Sequence, residues 1–262
     1  MSPPNAAHTA RERARAELTR EIKEEARRQL ADVGADTLSL RAVARSLGMV
    51  SSALYRYFPS RDDLLTALII DAYNAVGDAV EAAAASVAAT EGRVRWVAVC
   101  RAARDWALAN PHEYALIYGS PVPGYRAPEA TIAPAARLPL AFLRVLRDAA
   151  ATGRLAAPRR DAAPAPEVRD CAPGVGVREH APTGLPLDGP LARQAAALAA
   201  ALDEPGATRV PPDALVRAVI AWTQLFGMVS FELFGQFVGS FEPADAFFDH
   251  AVAQMAAFVG LR

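Results

Sequence analysis

Apolar residues recur at helical spacing along most of the chain. One clear stretch has an apolar face at positions i, i+3, i+4 and i+7, formed by Leu40, Val43, Ala44 and Leu47. The same spacing predicts helices near residues 13–33, 40–47, 51–57, 61–88, 91–109, 111–119, 128–151, 190–202, 212–237 and 243–260. We therefore predict an all-α protein.

Two of the short predicted helices are joined by a tight turn. Gly48 follows the last apolar residue of the first helix, where a left-handed residue commonly ends a helix. The second helix has an apolar face and a polar face. The expected inner face is Met49, Ala53, Leu54 and Phe58, and the outer face is Ser51, Ser52, Tyr55 and Arg56. This arrangement is typical of a helix-turn-helix, whose second helix enters the major groove of DNA.

The helix boundaries here have signals of their own. Ser39 stands just before the first apolar residue and is predicted to be an N-cap. Pro59 is expected to end the second helix, because the residue before a proline avoids the helical region. Ser60 is then predicted to cap the next helix, with Asp63 at the reciprocal position of a capping box.

The segment from about Leu18 to Asp71 resembles the DNA-binding domain of TetR-family (tetracycline-repressor-like) transcriptional regulators. The matching features are the apolar helix that ends at Gly34, the run 40–44, the pair Leu47–Gly48, and the run 53–61 that leads into Leu64–Leu65. The resemblance implies an N-terminal three-helix DNA-binding domain followed by a helical ligand-binding and dimerisation domain.

Two positions depart from the family pattern. The family usually has Val-Ser after the turn glycine, whereas Met49 and Val50 stand here. The capping role of that serine therefore passes to Ser51 or is lost. The family often has His or Asn where Tyr57 stands, and these departures leave the operator sequence open.

The polar outer face and the resemblance together indicate double-stranded operator DNA as a partner. Small polar residues at the front of a recognition helix let its backbone approach base edges, so Ser51 and Ser52 are predicted to face bases. Arg41 is expected to reach the DNA from its own helix, and Arg56 to contact a base, contact a phosphate or remain a solvated charge. The residues predicted to hold phosphates are Ser39, Tyr55, Tyr57 and Arg61.

The C-terminal part carries a second resemblance. The runs 106–119 and 121–124 and the segment 221–234 resemble the C-terminal domain of a subgroup of these regulators, called the WHG type. The resemblance implies a homodimer formed by the last two long helices, although the apolar helix near 212–237 can also be read as the core of a monomer. The predicted interface residues are Trp222, Phe226, Phe231 and Phe234.

The resemblance further implies a cavity for an unidentified small-molecule effector among helices four to eight. Occupying that cavity would release the operator, which is a coupling between two sites. Each candidate lining residue has an alternative role in the core or at a helix end. The candidates are Trp106, His112, Tyr114, Tyr118, Phe142, Gln224 and Met228.

The composition of the chain narrows the class of protein further. The chain has 262 residues, is 52% hydrophobic and carries a formal charge of −1. Residues 1–62 carry a net charge of +3 and the remainder −4, as expected for a DNA-binding module joined to a different domain. The polar N-terminus does not resemble a signal peptide, so we expect a cytoplasmic protein. Cys100 and Cys171 match no metal spacing.

Motifs for catalysis are missing from the sequence. It has no glycine-rich phosphate loop, no Gly-x-Ser-x-Gly elbow and no paired-carboxylate signature, so we predict no enzyme, no cofactor and no metal.

Residues 218–241 carry one charge, Glu232, and are long enough to span a membrane. Polar interruptions in that stretch favour a buried helix instead.

The predicted domain organisation has three parts. Residues 1–11 are expected to be a disordered tail, residues 12–60 the helix-turn-helix domain, and residues 61–262 the ligand-binding and dimerisation domain. Residues 155–189 are rich in Pro, Ala and Gly and are predicted to be a long mobile loop. The predicted function is a repressor released by a small hydrophobic ligand, and the alternative is a ligand-independent or architectural DNA-binding protein.

Overall fold

The computed structural model describes residues 6–156, 189–203 and 205–262. Within these ranges the regular structure is helical, with two 3₁₀ turns at Ala35–Thr37 and Glu129–Thr131 and a single isolated bridge between Leu155 and Leu261. The all-α prediction is confirmed. The α-helices are α1 (Ala6–Val33), α2 (Leu40–Ser46), α3 (Ser51–Leu54), α4 (Arg61–Ala85), α5 (Gly92–Ala109), α6 (Pro111–Tyr118), α7 (Ile132–Ala151), α8 (Gly189–Ala201), α9 (Pro212–Leu233) and α10 (Asp245–Val259).

Two helix ends near the N-terminus differ from the prediction. Helix α1 begins at Ala6, so residues 6–11 are helical rather than disordered, and residues 1–5 lie outside the described ranges. Helix α3 ends at Leu54 instead of residue 57. The carbonyl of Leu54 accepts from the N–H groups of both Tyr57 and Phe58, which closes the chain into a turn.

Helix α9 also ends earlier than predicted, at Leu233 rather than 237. Gly235 adopts a left-handed φ of 75°, which the helix cannot continue. The N–H of Gly235 donates to the backbone carbonyl of Glu232, and the N–H of Gln236 donates to the backbone carbonyl of Phe231 at 2.8 Å. These bonds satisfy carbonyls of the last turn that have no partner within the helix. Of the predicted 155–189 loop, residues 157–188 lie outside the described ranges.

The first compact unit comprises Met1–Ala82 and Arg101–Ala141. Its helix-turn-helix core is built from the apolar faces of α1 to α4, and this confirms the inner face predicted for α2. Val33 stands three residues after Leu30, on the apolar stripe of α1 by helical spacing, but it is 55% exposed. The fully buried members of this core are Ile22, Ala26, Val43, Leu54, Leu64 and Leu65.

The second compact unit comprises Ala83–Cys100 and Phe142–Arg262. Trp96 is fully buried and packs edge-on against Phe142, with ring centroids 4.8 Å apart. Buried Arg95 donates to the carbonyl of Ala84 and pairs with Asp148. These polar contacts satisfy a cation that the surrounding core would otherwise leave unpaired.

Helix α9 is, by length and composition, apolar enough to cross a membrane. One such helix is weak support for a membrane protein, because core and interface helices have the same composition. Near its start, Arg217 pairs with Asp213 at 2.7 Å and donates to the carbonyl of Val259 at 3.3 Å. These contacts tie α9 to the end of α10.

Candidate nucleic-acid interface

The turn between α2 and α3 is set by backbone hydrogen bonds. Gly48 has a φ of 64°, as predicted, and its N–H donates to the carbonyl of Arg45 at 3.1 Å. The N–H of Met49 reaches back to the carbonyl of Ala44 at 2.8 Å. This pair of bonds is a Schellman motif, which ends α2 and turns the chain sharply into α3.

One face of helix α3 is buried and the other is exposed to solvent. Leu54 is fully buried, and Phe58 just beyond the helix is 7% exposed. Both pack into the helix-turn-helix core. On the opposite side Ser51 and Ser52 are exposed, and Tyr55 and Arg56 in the turn that follows α3 are exposed as well, as predicted. An apolar anchor therefore holds a short helix so that hydroxyl and guanidinium groups point to solvent.

The caps at the starts of α2 and α3 differ from the sequence prediction. Ser39 occupies the N-cap position of α2, but its hydroxyl makes no capping hydrogen bond. The N-cap of α3 is Val50, which has no polar side chain, so the capping role is lost rather than transferred to Ser51. The hydroxyls of Ser39 and Ser51 are consequently not used for capping.

The start of α4 carries the predicted cap in a modified form. The hydroxyl of Ser60 accepts from the N–H of Asp63 at 3.1 Å and donates to the Asp63 carboxylate at 2.6 Å. The first bond is the expected N-cap contact. The second replaces the reciprocal bond to backbone that a capping box has.

Arg61 has a different environment from the one predicted. Its Nη2 group donates to the carbonyls of Ala35 at 2.7 Å and Asp36 at 3.2 Å, and its Nη1 lies 3.7 Å from Asp62. The guanidinium thus joins the first turn of α4 to the α1–α2 connection. These bonds help to position the helix-turn-helix, and the predicted phosphate contact of Arg61 stays a prediction.

Two basic residues beside this surface were not singled out from the sequence. The guanidinium of Arg15 on α1 lies 5.5 Å from the ring centroid of half-buried Tyr57, within the range of a cation–π interaction. Arg45 near the end of α2 is exposed. Helical periodicity did not mark Arg15, because its approach to Tyr57 depends on how α1 packs.

An ion-pair network joins three helices of the first unit. Lys23 and Arg27 on α1 both contact Asp71 on α4, at 2.9 and 2.8 Å. Arg27 also donates to Glu113 on α6 at 2.9 Å. These four side chains are between 18% and 31% exposed, so the network is partly shielded from water. It links α6 to the helices that carry the DNA-binding core.

The predicted ligand-binding residues are divided between the two units. In the first unit, Tyr114 is buried and His112 exposed, and half-buried Tyr118 packs against the rings of Tyr73 and Tyr114. Burial raises the pKa of the Tyr118 phenol, so it stays neutral. The remaining candidates are half-buried Trp106 in the first unit, and buried Phe142, exposed Gln224 and buried Met228 in the second.

The first unit contains an open cleft of about 640 Å³ that is lined by a different set of residues. None of the seven candidates lines it, although Tyr118 contacts the ring of Tyr73, which does. Helices α4, α6 and α7 and the connection between α6 and α7 form its walls. The lining comprises Ile69, Tyr73, Leu116, Ile117, Gly119, Ser120, Pro121, Val122, Tyr125, Ala127, Thr131, Ile132, Ala135 and Ala136.

The predicted dimer residues lie along α9 and at its end. Phe231 and Phe234 are 55% and 53% exposed. Trp222 and Phe226 are half-buried, with ring centroids 5.6 Å apart. Other large apolar side chains on α9 and α10 are also exposed, namely Val219, Ile220 and Phe258. Among the residues that the structure describes, no group of three or more His, Cys, Asp or Glu side chains forms a metal site.

Comparison with known proteins agrees with this arrangement. A family model described as bacterial regulatory proteins, tetR family, matches residues 22–68, and one described as tetracyclin repressor-like, C-terminal domain, matches residues 96–255. HTH-type transcriptional regulators of Mycobacterium tuberculosis and Mycobacterium bovis are 39% identical to this chain over 225 residues, which cover 86% of this chain and 84% of each relative.

Solved structures show the same fold. The crystal structure of a protein described as a regulatory protein is 36% identical, has a TM-score of 0.67, and the match covers 94% of this chain and 98% of that one. A Rhodococcus protein of unknown function is 22% identical with a TM-score of 0.61 over 93% of this chain and 95% of its own, and it shares the fold. Together with the helix-turn-helix geometry, these matches show that the chain belongs to the TetR family of transcriptional regulators.

Proposed function

We propose that this DNA-binding transcriptional regulator, which is not an enzyme, is a dimeric repressor that leaves its operator when a small molecule binds. The observation that carries the proposal is the two-sided α3, which buries Leu54 completely and exposes Ser51 and Ser52. A single helix of four residues offers few base contacts. Specific binding therefore requires two copies on two half-sites.

Contacts to DNA are assigned from exposure and chemistry. Ser51 and Ser52 face bases, because their hydroxyls are exposed and not used for capping. Arg41 and Arg56 are exposed cations that contact phosphate or base edges. The remaining predicted phosphate ligands are Ser39, Tyr55, Tyr57 and Arg61, and the bonds of Arg61 also position this surface.

The exposed apolar face of α9 and α10 supports the dimer. Soluble monomers rarely expose contiguous large apolar patches, and such patches commonly mark interfaces. Phe231 and Phe234 on this face are more than half exposed in a single chain. A second copy of the same face would cover them in a symmetric contact. Trp222 and Phe226 lie along the same helix and would extend that contact.

We propose residues 12–60 as the DNA-binding domain and residues 61–262 as the ligand-binding and dimerisation domain. Because its partner is the genome, the protein acts in the cytoplasm.

A ligand-independent architectural protein is the alternative function. The cleft in the first unit favours a ligand, because a purely architectural protein has no need of an open apolar cleft of about 640 Å³.

The test is a selection of genomic DNA fragments by the purified full-length protein, followed by sequencing. We expect enrichment of an inverted repeat, because a symmetric dimer places two recognition helices on one face of the duplex. A footprint over both half-sites would follow. Recovery of unselected DNA would instead support the architectural alternative.

Charge-matched variants separate the interface from a general effect of charge. Arg56→Glu should abolish the enrichment, because it places a negative charge in the exposed turn directly after α3. Arg93→Glu is the control, since Arg93 is an exposed residue in the first turn of α5. Equal loss in both variants would count against α3 as the DNA-reading helix.

A further inference from the structure

We propose that residues 10–17, the exposed first part of α1, form a second DNA-contacting element, which we call the α1 arm. Arg15 and Arg11 on this arm hold phosphates of the duplex beside the half-site that α3 reads, and the ring of Tyr57 orients Arg15 for its contact. The inference rests on the proposed DNA-facing surface of α3. It adds an interaction surface outside the helix-turn-helix.

The α1 arm extends beyond the packed core of the first unit. Counting from the N-terminus, Leu18 is the first residue of α1 that packs against the helix-turn-helix core. All residues from 10 to 17 are exposed, although they are helical. A helical segment without tertiary contacts is only marginally stable in water. The core does not require this extension, so its surface is available to a partner.

One stripe of α1 changes from apolar to cationic where the helix leaves the core. Ile22 and Ala26 lie on the core-facing side and are fully buried. Arg15 and Arg11 stand seven and eleven residues before Ile22, which places them on the same stripe by helical spacing. Arg13 is exposed about 160° around the helix from Arg15 and faces the opposite side. The stripe that faces the helix-turn-helix therefore becomes basic in the arm.

Arg15 lies where this stripe reaches the proposed DNA surface. Its guanidinium is 5.5 Å from the ring centroid of Tyr57, which belongs to the turn after α3. The Tyr57 side chain is half-buried and packs against the helix-turn-helix core, so its ring is held in place. Arg56, the residue before it, is exposed. The arm and the turn after α3 thus form one continuous surface.

The Tyr57 ring leaves the positive charge of Arg15 available to a partner. Further along α1, Lys23 and Arg27 both pair with Asp71, so a carboxylate offsets part of their charge. Arg15 lies instead over an aromatic ring, which orients a guanidinium without cancelling its net charge. A planar guanidinium suits phosphate oxygens, and neutralising phosphates supplies much of the affinity for DNA. The charge of the stripe therefore favours the duplex backbone as its partner.

The acidic residues of the arm lie off this stripe. Glu17 is about 160° around the helix from Arg15, and Glu12 is about 60° from it. Arg11 lies about 6 Å beyond Arg15 along the axis, at 1.5 Å per residue. Duplex DNA carries one phosphate charge for about every 1.7 Å of its axis, so both arginines can contact separate phosphates.

The same pairing explains a position where the chain departs from the family pattern. The family often has His or Asn where Tyr57 stands, and these residues have a smaller ring or no ring. The larger ring of Tyr57 gives Arg15 a flat surface to lie on. The hydroxyl of Tyr57 remains a predicted phosphate ligand, and its ring acquires a second role as a positioning group.

The experiment measures binding of the full-length protein to two duplexes of equal length, the operator from genomic selection and an unrelated sequence. Arg15→Ala should weaken binding to both by about tenfold at low salt, and lower the salt slope by about one for each bound subunit. Arg13→Ala is the matched control and should change neither quantity. No effect of Arg15→Ala, or equal effects of both variants, would overturn the proposal.

Sequence preference separates a phosphate contact from base reading. Arg15→Ala and Arg11→Ala should leave the order of affinities in a panel of single-base operator variants unchanged, because phosphate contacts carry no sequence information. A changed preference at one base position would overturn the assignment of these arginines to phosphate.

The role of the ring is tested by repeating Arg15→Ala in two backgrounds. Tyr57→Phe keeps the ring, so Arg15→Ala should still cost about tenfold in affinity. Tyr57→Leu keeps apolar packing but removes the ring, so Arg15→Ala should then cost only about twofold. Equal costs in both backgrounds would overturn the positioning role of Tyr57.

A second measurement applies if Tyr57→Leu does not fold. Arg15→Lys keeps the charge without the planar group, so it should retain the salt slope but bind about threefold more weakly. Wild-type affinity of Arg15→Lys would show that orientation by the ring is not needed.

Failure of the arm and failure of the proposed function give different results. If the wild type selected no DNA sequence, the proposed function would be contradicted, but the unrelated duplex would still test the arm, because phosphate contacts form with any sequence. Normal operator selection together with wild-type binding by Arg15→Ala would overturn the arm alone.

Discussion

Helices α3 and α9 both bury one face and expose the other, but the exposed faces have opposite chemistry. Ser51 and Ser52 on the outer face of α3 and Arg56 in the turn after it are exposed, whereas the outer face of α9 presents Val219, Ile220 and Phe231. Hydroxyl and guanidinium groups form hydrogen bonds with water, so their exposure costs little free energy. Exposed aromatic and aliphatic groups favour burial, with about 1.5–3 kcal/mol for each large side chain that is fully covered.

The difference shows that an exposed face predicts the type of partner. A short polar helix supported by a buried leucine suits a polyanion, since charge and hydrogen bonds dominate protein–DNA contacts. A long apolar helix suits another apolar surface, and a second copy of the chain provides one. Mutations that exchange or remove these properties should separate DNA binding from assembly.

The largest expected effect follows from placing a charge on the exposed face of α9. Phe231→Glu should raise the dimer dissociation constant by about 1,000-fold, equivalent to about 4 kcal/mol, because a carboxylate would be buried unpaired in the interface. Sedimentation analysis over a range of protein concentrations measures this constant.

The control for that variant is Leu191→Glu on α8, where the leucine is 48% exposed, close to the 55% of Phe231. It changes charge and exposed apolar area by similar amounts outside α9 and α10. If Phe231→Glu remained dimeric at the concentrations where the wild type does, the proposed interface would be wrong.

The next largest effect separates the buried and the exposed side chain at the end of α3. Leu54→Ala should lower the free energy of unfolding by about 2–5 kcal/mol, because Leu54 is fully buried in the helix-turn-helix core. Tyr55→Ala, one residue further along and 41% exposed, should change it by only about 0.5 kcal/mol. Urea denaturation of both variants gives the comparison, and equal destabilisation would contradict the burial pattern.

A smaller effect distinguishes the two arginines near α3. Arg56→Ala should flatten the slope of log affinity against log salt by about one unit and leave stability nearly unchanged. Arg61→Ala should instead lower stability by about 1–2 kcal/mol, because it removes bonds to two backbone carbonyls from a partly exposed side chain.

Salt titration of operator binding and chemical denaturation distinguish these two roles. A flattened salt slope with unchanged stability in Arg61→Ala would support the phosphate contact that the sequence predicted. Arg61→Lys is informative beside it, since a lysine keeps the charge but lacks the planar fork that bridges two carbonyls.

The smallest effect concerns base reading by α3. Ser52→Ala should change operator affinity by about 1 kcal/mol, and only for substitutions at one base position in each half-site. Binding to a panel of single-base operator variants measures this, with Ser46→Ala at the exposed end of α2 as the control. A uniform loss over all positions would indicate a phosphate contact instead.

Local features of the helix-turn-helix could be predicted well from the sequence. The apolar spacing of α2 and the glycine after it set a helix and a left-handed turn, and Gly48 has the expected positive φ. Ser60 similarly marks a cap, whereas α3 ends at Leu54, well before Pro59. These features depend on a few neighbouring residues, so periodicity and capping preferences are sufficient to find them.

Features that depend on distant residues were predicted less well. Val33 fits the inner stripe of α1 but is exposed, and Arg61 fits a phosphate contact but bonds to two carbonyls of the α1–α2 connection. The early end of α9 is by contrast a local effect, because it depends on the left-handed conformation of Gly235. In each case a packing contact or a glycine conformation outweighs the periodic pattern.

The cleft is the feature that depends most clearly on residues far apart in the sequence. Its lining residues come from α4, α6, α7 and a connection without helical periodicity, and the seven residues chosen from the sequence are not among them. Aromatic residues at helical spacing are equally compatible with a core and with a pocket. Only the path of the α6–α7 connection brings Val122 and Tyr125 beside Leu116.

The amino-acid sequence alone was enough to establish an all-helical regulator with a helix-turn-helix, because periodicity, turns and caps act within a few residues. The position of the cleft, the bonds of Arg61 and the exposure of Phe231 depend on the packed structure. Each of these depends on whether segments that are far apart in the chain pack against one another. The burial of a side chain is decided by such contacts and not by its neighbours in the sequence.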